Sequence, residues 1–294
     1  LNDFPHLSEK YRSVAALPDE QRIHFIKAPR WIDYPKARIV LQEMEDLYNY
    51  PKQTRMRSIL VTGHPNNGKS SILERFLAQH PPSSLDEENY EIPVVKIETS
   101  QAVPKQLYTE ILQQFHSPFR PSQPIVELQQ QAVNVLRECN VKILMIDEFH
   151  SLLTGSKRLQ RQVMNEVKYL TNKVKISIIA AGTKEAVQVI QTDPQHSSRF
   201  TVLALPNWEM NREFQQLVGS FESGLPLRKA SKLIEGDKLE LILSISQGII
   251  GNIHELLKMC ATDAIRTGRE QIDMDVLRKH VWYTPTQGIR KIPL

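Results

Sequence analysis

A glycine-framed octapeptide, Gly63-His64-Pro65-Asn66-Asn67-Gly68-Lys69-Ser70, narrows the possible folds of this chain more than any other feature. It stands between a short apolar run, residues 57–62, and a segment, 71–79, whose apolar residues Ile72, Leu73, Phe76 and Leu77 recur at helical spacing. Strand, tight loop and helix in that order make a cradle for phosphate. Gly63 and Gly68 are expected to take positive φ, Asn66 and Asn67 tolerate left-handed backbone, and N–H groups at the start of the helix then point at an anion. The spacing fits G-x-x-x-x-G-K-S/T, in which Lys69 reaches the β/γ oxygens of a nucleotide and Ser70 holds Mg²⁺. Gly63, His64, Pro65, Asn66, Asn67, Gly68, Lys69, Ser70 and Ser71 are therefore the candidate contacts to ATP. A Gly-rich turn arising by chance is the alternative, and the flanking strand and helix count against it.

A second apolar run, 141–146, ends in Asp147-Glu148. Beside a phosphate loop, the first acid organises the Mg²⁺ shell and the second orients and deprotonates the attacking water. Hydrolysis is then implied as well as binding. Alone, the pair would be two solvated acids at a strand end. Further strands are expected at 92–97, 176–181 and 201–205, and helices at 36–48, 104–115 and 125–138, with Pro104 suited to a first helical turn. This alternation predicts an α/β fold: a parallel central sheet flanked by helices, right-handed crossovers, and phosphate at the carboxyl ends of the strands. Thr183, just past the 176–181 strand, is placed to sense a γ-phosphate. Beyond Pro206 only helical spacing remains, at 208–221, 237–246, 252–267 and 273–282, with Gly248 and Gly251 marking the turn into the third. The expected organisation is an arm (1–30), a nucleotide-binding domain (31–206), a helical lid (207–283) and a mobile or partner-bound tail (284–294).

Composition adds bounds. Hydrophobic residues at 40% and charged residues at 24% of 294 suffice for a sizeable core. Lys and Arg number 37 against 33 acids, an excess that permits nucleic-acid binding without requiring it. Cys139 and Cys260 have no ligand-like neighbours, so a disulfide framework or zinc ribbon is not expected, and a reducing cytoplasm fits. No apolar run approaches the ~20 residues of a membrane span, so no membrane is expected as a partner. Leu1 stands where Met would be expected, which reads as a trimmed start. The lead-in to Arg30, broken by Pro5, Pro18 and Pro29, reads as a polar assembly arm. Ile39, Val40, Met44 and Leu47 define the apolar face of the 36–48 helix. Tyr34 is a candidate base-side contact, with core packing of Trp31 and Tyr34 the alternative. Lys157, Arg158, Arg161, Lys168, Lys173 and Lys175 against Glu166 form a positive stripe, either a solvated helix face or a phosphate contact.

The chain resembles the AAA+ ATPases that regulate transposition, of the TniB and TnsC kind. The resemblance spans nearly all of it and rests on R-W-I-D-Y-P-K-A from Arg30, G-H-P-N-N-G-K-S from Gly63, I-L-E-R-F from Ile72, I-D-E-F-H-S-L-L from Ile146, A-G-T from Ala181, Q-T-D-P-Q and S-R-F between Gln191 and Phe200, and G-x-x-G at Gly248 and Gly251. It implies an ATP-dependent homo-oligomer, ring or helical filament, that assembles on duplex DNA, bridges a TniQ-like target-selection protein and a DDE transposase of the TniA/TnsB kind, and disassembles on hydrolysis.

By the same resemblance Lys69, Ser70, Asp147 and Glu148 keep the roles given above, Thr183 falls at sensor 1, and Arg199 sits where an arginine finger reaches a neighbouring subunit's γ-phosphate. A salt-bridged strand-edge residue is the alternative for Arg199. Lys105 is the first expected DNA phosphate contact, against a solvated helix-start cation, and the proline-rich loop around Arg120 and Ser122 the second. Such contacts bind sequence-independently and weaken with salt. Relatives often carry an Arg after the second lid glycine; here the run is Gly251-Asn252-Ile253-His254, so Asn252 supplies no sensor 2 charge and His254 reads as a surface residue. Two other readings share the core: a helicase loader of the IstB or DnaC kind, and a nucleotide-switched DNA scaffold with negligible turnover.

Overall fold

Five strands lie side by side and all run the same way. In chain order the strands are β1 (Ser58–Gly63), the short antiparallel pair β2 (Ser83–Ser84) and β3 (Tyr90–Glu91), β4 (Val94–Glu98), β5 (Ile143–Asp147), β6 (Ser177–Gly182) and β7 (Phe200–Leu205). The main sheet has the order β4-β5-β6-β1-β7. The computed structural model describes residues 4–84, 90–98, 103–152, 154–191 and 197–280. Every residue of β5 and β6 is buried, as continuous apolar runs covered on both faces require. The edge strand β7 leaves Thr201 and Val202 exposed between buried ends.

The helices are α1 (Glu9–Ala15), α2 (Asp19–Lys27), α3 (Pro35–Tyr48), α4 (Lys69–Gln79), α5 (Pro104–Gln114), α6 (Ile125–Glu138), α7 (Phe149–Leu152), α8 (Lys157–Val174), α9 (Lys184–Gln191), α10 (Arg212–Ser223), α11 (Gly236–Ser246), α12 (Ile250–Arg266) and α13 (Met274–Lys279). Among the described residues no helix is long and apolar enough to cross a membrane. The chain divides into two compact units: Lys36–His64 with Lys69–Leu205, and Leu1–Pro35 with Pro65–Gly68 and Pro206–Leu294.

In the sheet unit, one apolar cluster joins Leu60, Val95, Ile97, Leu144, Ile146 and Ile178 to Leu107, Tyr108, Ile111, Leu128, Val163 and Leu170 of α5, α6 and α8. Glu166, the acid within the positive stripe, turns inward and accepts from the Tyr108 hydroxyl and from Gln129 Nε2 at 2.9 Å. It thus ties α5, α6 and α8 and does not screen the stripe. The stripe itself is split along 18 residues of α8, a span of about 27 Å, with Lys157, Arg158 and Arg161 exposed at one end and, at the other, exposed Lys173 and the half-buried cap residue Lys175.

Several boundaries differ from sequence expectation for identifiable reasons. β4 starts at Val94 because Pro93 has no N–H, and the Pro93 carbonyl instead accepts from Lys142 N and Ile143 N. β1 begins at Ser58, where pairing begins, its N–H donating to Arg199 O at 2.8 Å. Ile39 is 62% exposed; the buried face of α3 is Ala37, Val40, Met44 and Leu47. Residues 83–84 pair with 90–91 in an antiparallel ribbon that no sequence pattern marked. The expected end of the last helix at 282, the 192–196 part of the Gln191–Phe200 block and the tail fall outside the described residues.

In the other unit the lead-in is not featureless. It forms α1 and α2, and α2 packs on α12. Arg22 of α2 is fully buried: Nη1 donates to Glu270 Oε2 at 2.7 Å and Pro226 O at 3.0 Å, and Nη2 to Glu270 Oε1 at 2.6 Å and Asp19 Oδ1 at 2.7 Å. Burial pushes the Glu270 carboxyl up, but the Arg22 hydrogen bonds and Arg228 hold it below its ordinary value. Expected α10 residues 208–211 are not helical. Asn211 caps the helix by accepting from Phe214 N at 2.9 Å, and Trp208 N donates to Gly248 O at 2.7 Å. Gly248 has φ +68°, and a Cβ there would lie 2.1 Å from the Trp208 carbonyl oxygen. Removing Glu270 strands a buried guanidinium, so Glu270→Ala should lower unfolding stability of this unit by about 3–5 kcal/mol. Urea unfolding followed by fluorescence checks this; a loss below about 1 kcal/mol would mean that water reaches Arg22.

Candidate nucleotide-binding site

Because the strands are parallel and in register, their carboxyl ends share one edge. Glu98 lies opposite Asp147, Ile146 opposite Ala180, and Thr62 opposite Gly182. The loop from β1 to α4, the acids ending β5 and Thr183 after β6 all issue from that edge. α4 starts at Lys69, whose buried side chain curls back so that Nζ donates to Gly63 O at 3.1 Å and His64 O at 2.9 Å. Burial pushes the Lys69 ammonium below its ordinary value, while Glu148 and Asp147 act against that. Lys69 makes no ion pair of 4.0 Å or less among the described residues. Ser70 and Ser71 are exposed, and the buried Thr62 hydroxyl has no hydrogen-bond partner.

Asp147 is buried at the end of β5, where its Oδ1 accepts from Glu148 N at 3.0 Å and its Oδ2 lies 3.3 Å from Lys96 Nζ. Lys96 also pairs with Glu74 of α4. Burial pushes Lys96 down, but the two acids outweigh it and raise the ammonium above its ordinary value. Glu148 has φ +52° and a side chain 43% exposed, with His150 Nε2 3.3 Å from Oε2. Gly182 permits the close approach of α7: a Cβ there would stand 3.3 Å from His150 N and from Ala186 Cβ. Thr183 leads into α9, where its carbonyl accepts from Ala186 N at 3.1 Å. Its hydroxyl is hydrogen-bonded to Glu185, which holds that carboxyl below its ordinary value. These donors fit a triphosphate and Mg²⁺: an ammonium bound only by carbonyls, an exposed hydroxyl beside it, and a buried acid facing the same edge. Lys96 and His150 were not singled out from the sequence. A lone Lys in the apolar run V-V-K-I was the available signal for the first.

The loop crown, Pro65–Gly68, belongs to the other unit. Asn66 takes φ 61° and Gly68 φ 81°; Gly63, expected to share this conformation, does not and ends β1. Gly251 N donates to Asn66 O at 3.0 Å, Asn66 Nδ2 to Asn252 Oδ1 at 2.8 Å, and Asn67 Nδ2 to Pro206 O at 3.3 Å. A Cβ on Gly251 would lie 2.2 Å from Asn66 Oδ1, which explains glycine inside the first turn of α12. Tyr34 is buried, stacks on Trp31 and meets Trp208 edge-on, and its hydroxyl lies 3.3 Å from where a Gly68 Cβ would be. Burial raises the Tyr34 phenol to about 12, so it stays protonated.

His254 is not a surface residue. Its ring lies tilted over Phe221 at 5.6 Å, Nε2 is buried without a partner, and burial, then Lys258, lower it to about 4 with Glu255 opposing. It is neutral near pH 7 and supplies no sensor 2 charge. Among the remaining candidates, Lys105 Nζ donates to Pro121 O at 2.6 Å, which brings Lys105, Arg120 and Ser122 to one place beside α5. Arg199 lies at the opposite, amino edge of the sheet. Its Nη1 donates to Asn172 Oδ1 at 3.0 Å and Thr171 Oγ1 at 3.3 Å, and it has no salt bridge among the described residues.

A histidine whose folded value lies below the ordinary 6.5 resists protonation, so the unfolded chain takes the proton first as pH falls. Its contribution is complete above about 6.5 and is lost toward 4. Between pH 7 and pH 5, His254→Phe should therefore lose less thermal stability than the parent, as measured by scanning calorimetry at both values; equal losses would mean that the ring is solvated.

Comparison with known proteins matches this arrangement. No curated protein matches the chain. Solved structures share its fold: the Aeropyrum pernix ORC2 protein in ADPNP-ADP complexes, at 17% identity, TM-score 0.61 and coverage of 88% of this chain and 71% of that one; Cdc6p from Pyrobaculum aerophilum, at 18%, 0.62, 90% and 70%; and the Aeropyrum pernix ORC1 protein in complex with DNA, at 15%, 0.55, 87% and 68%. The family profile described as Bacterial TniB protein matches residues 22–210, and with the phosphate loop, the Asp147-Glu148 pair and the AAA+ sheet order in place, the chain belongs to the TniB family of AAA+ ATPases.

Proposed function

We propose that this chain is a cytoplasmic regulator of DNA transposition that assembles on duplex DNA in its ATP form, links a TniQ-like target-selection protein to a DDE transposase, and disassembles on hydrolysis. The observation that carries the reading is the shared carboxyl edge, where Lys69, Asp147, Glu148 and Thr183 come together within a family named for transposition. Family membership favours this over a helicase loader.

Lys69 exchanges its two carbonyl partners for phosphate oxygens, so binding replaces hydrogen bonds already made. Ser70 and Asp147 would hold Mg²⁺, which when bound offsets charge on the β/γ oxygens. Lys96 fixes the Asp147 carboxylate from the far side. Glu148, turned outward by its backbone and steadied by His150, accepts the proton of the attacking water. Thr183 orients the γ-phosphate. Tyr34 is kept as the candidate contact to the base. Arg199 acts on a neighbour's nucleotide: six residues of β1 separate its level from the loop, about 20 Å, beyond the reach of a side chain. A cradle at one edge and a finger at the other close only between copies, head to tail, as in a ring or helical filament. The resemblance to an ORC1 structure in complex with DNA supports the duplex as ligand.

Turnover should be slow and stimulated by duplex. Glu148→Gln and Arg199→Ala should each lower phosphate release by about 10²-fold or more, yet a mixture of the two should recover activity, because an intact Arg199 then faces an intact Glu148. A scaffold without turnover would show no loss in either variant, and a mixture as inactive as its parts would place Arg199 outside the neighbour's site. Lys105→Ala should weaken duplex binding at every sequence tested and reduce the slope of log K against log salt by about 0.9. Unchanged affinity and slope in fluorescence anisotropy would remove Lys105 from the interface.

A further inference from the structure

The amino edge of the sheet carries a cationic cavity that the site above does not use. Thr54, Arg55, Asn172, Lys175 and Arg199 line a space of about 510 Å³, and Lys52, Gln53, Thr54, Arg55 and Lys175 line an adjoining one of about 710 Å³. Sheet pairing explains the convergence: Arg199 immediately precedes β7, Arg55 lies just ahead of β1, and Lys175 ends α8 in left-handed backbone, φ 64°, ahead of β6. Their hydrogen-bond partners are neutral. Lys175 Nζ donates to Thr54 O at 3.3 Å, Arg55 to the Ser198 hydroxyl, and Arg199 to the hydroxyl and amide of Thr171 and Asn172. Among the described residues no carboxylate pairs with any of the three, and Arg199 Nε is buried without a partner. Burial, then repulsion from Arg55, pushes the Arg199 guanidinium below its ordinary value. A multiply charged anion relieves such a cluster.

We propose that Arg55 and Lys175 form, with Arg199, a receptor for the terminal phosphates of the nucleotide held by a second copy of this chain; the proposal rests on Arg199 acting across a subunit boundary. The cavity lies at the end of β1 remote from its own loop, so the anion it takes comes from another molecule. Cations from three separate chain segments converge on one space, which suits a compact polyphosphate better than the spaced single charges of a duplex backbone.

The test uses the full chain with Arg55→Ala/Lys175→Gln, and Arg55→Lys/Lys175→Arg as the charge-conserving control. Assembly is followed by sedimentation with a non-hydrolysable ATP analogue, without DNA. The neutral pair should need about tenfold more protein to assemble and should lose phosphate release by about tenfold or more, with affinity of the dispersed subunit for fluorescent ADP unchanged; the control should recover most of both. Mixed with Glu148→Gln subunits, the neutral pair should regain turnover. Assembly and turnover equal to the parent would overturn the proposal. So would weaker duplex binding with unaltered nucleotide-driven assembly, which would assign the cavity to DNA phosphate. Rescue by Glu148→Gln of Arg199→Ala but not of the neutral pair would also overturn it, leaving the Arg199 reading intact, whereas rescue of neither would sink both.

Discussion

Strand direction is the constraint from which the other features follow. Because all five strands of the main sheet run one way, whatever follows a strand collects at one edge and whatever precedes it at the other. The loop into α4, Glu148 and Thr183 follow strands, and Asp147 is the last residue of one. Arg55, Lys175 and Arg199 all precede them. Thus the same chain geometry that gathers acids and the loop on one side gathers on the opposite side three cations that, among the described residues, pair with no acid.

Local electrostatics then divide the labour at the carboxyl edge. Lys96, mostly buried, faces Asp147 and Glu74 at once and so holds the Asp147 carboxylate in place at the end of β5. Lys69, more deeply buried, is left with carbonyl partners whose bonds are weaker than an ion pair and therefore exchangeable. Two lysines, one at the start of α4 and one within β4, thus hold opposite positions, one paired to a carboxylate and one bound by carbonyls. In the other unit, a third buried cation, Arg22, is committed to Glu270 and Asp19 and serves packing.

Much of this was legible because buried parallel strands leave continuous apolar runs and because the loop motif carries its own flanks. β5 and β6 were found within two residues, α6 at both ends. The misses follow from effects that a linear pattern does not carry. Pro93 shortened β4 through a missing donor. Ile39 fitted a helical face yet points to solvent. α1 and α2 were hidden by prolines and by the polar Arg22, whose burial depends on an acid 248 residues away. Motif spacing placed the loop between β1 and α4 but misassigned the positive φ of Gly63. His254 looked polar and therefore external, although its ring packs on Phe221.

Glu148 occupies left-handed backbone, φ +52°, where a residue with a Cβ costs about 1–2 kcal/mol and glycine costs least. A chain selected for stability alone would place Gly or Asn there. If Glu148 is the proton acceptor proposed above, conformational strain and chemistry are fixed at one position, so drift toward a more robust fold and drift toward faster turnover pull its side chain in opposite directions.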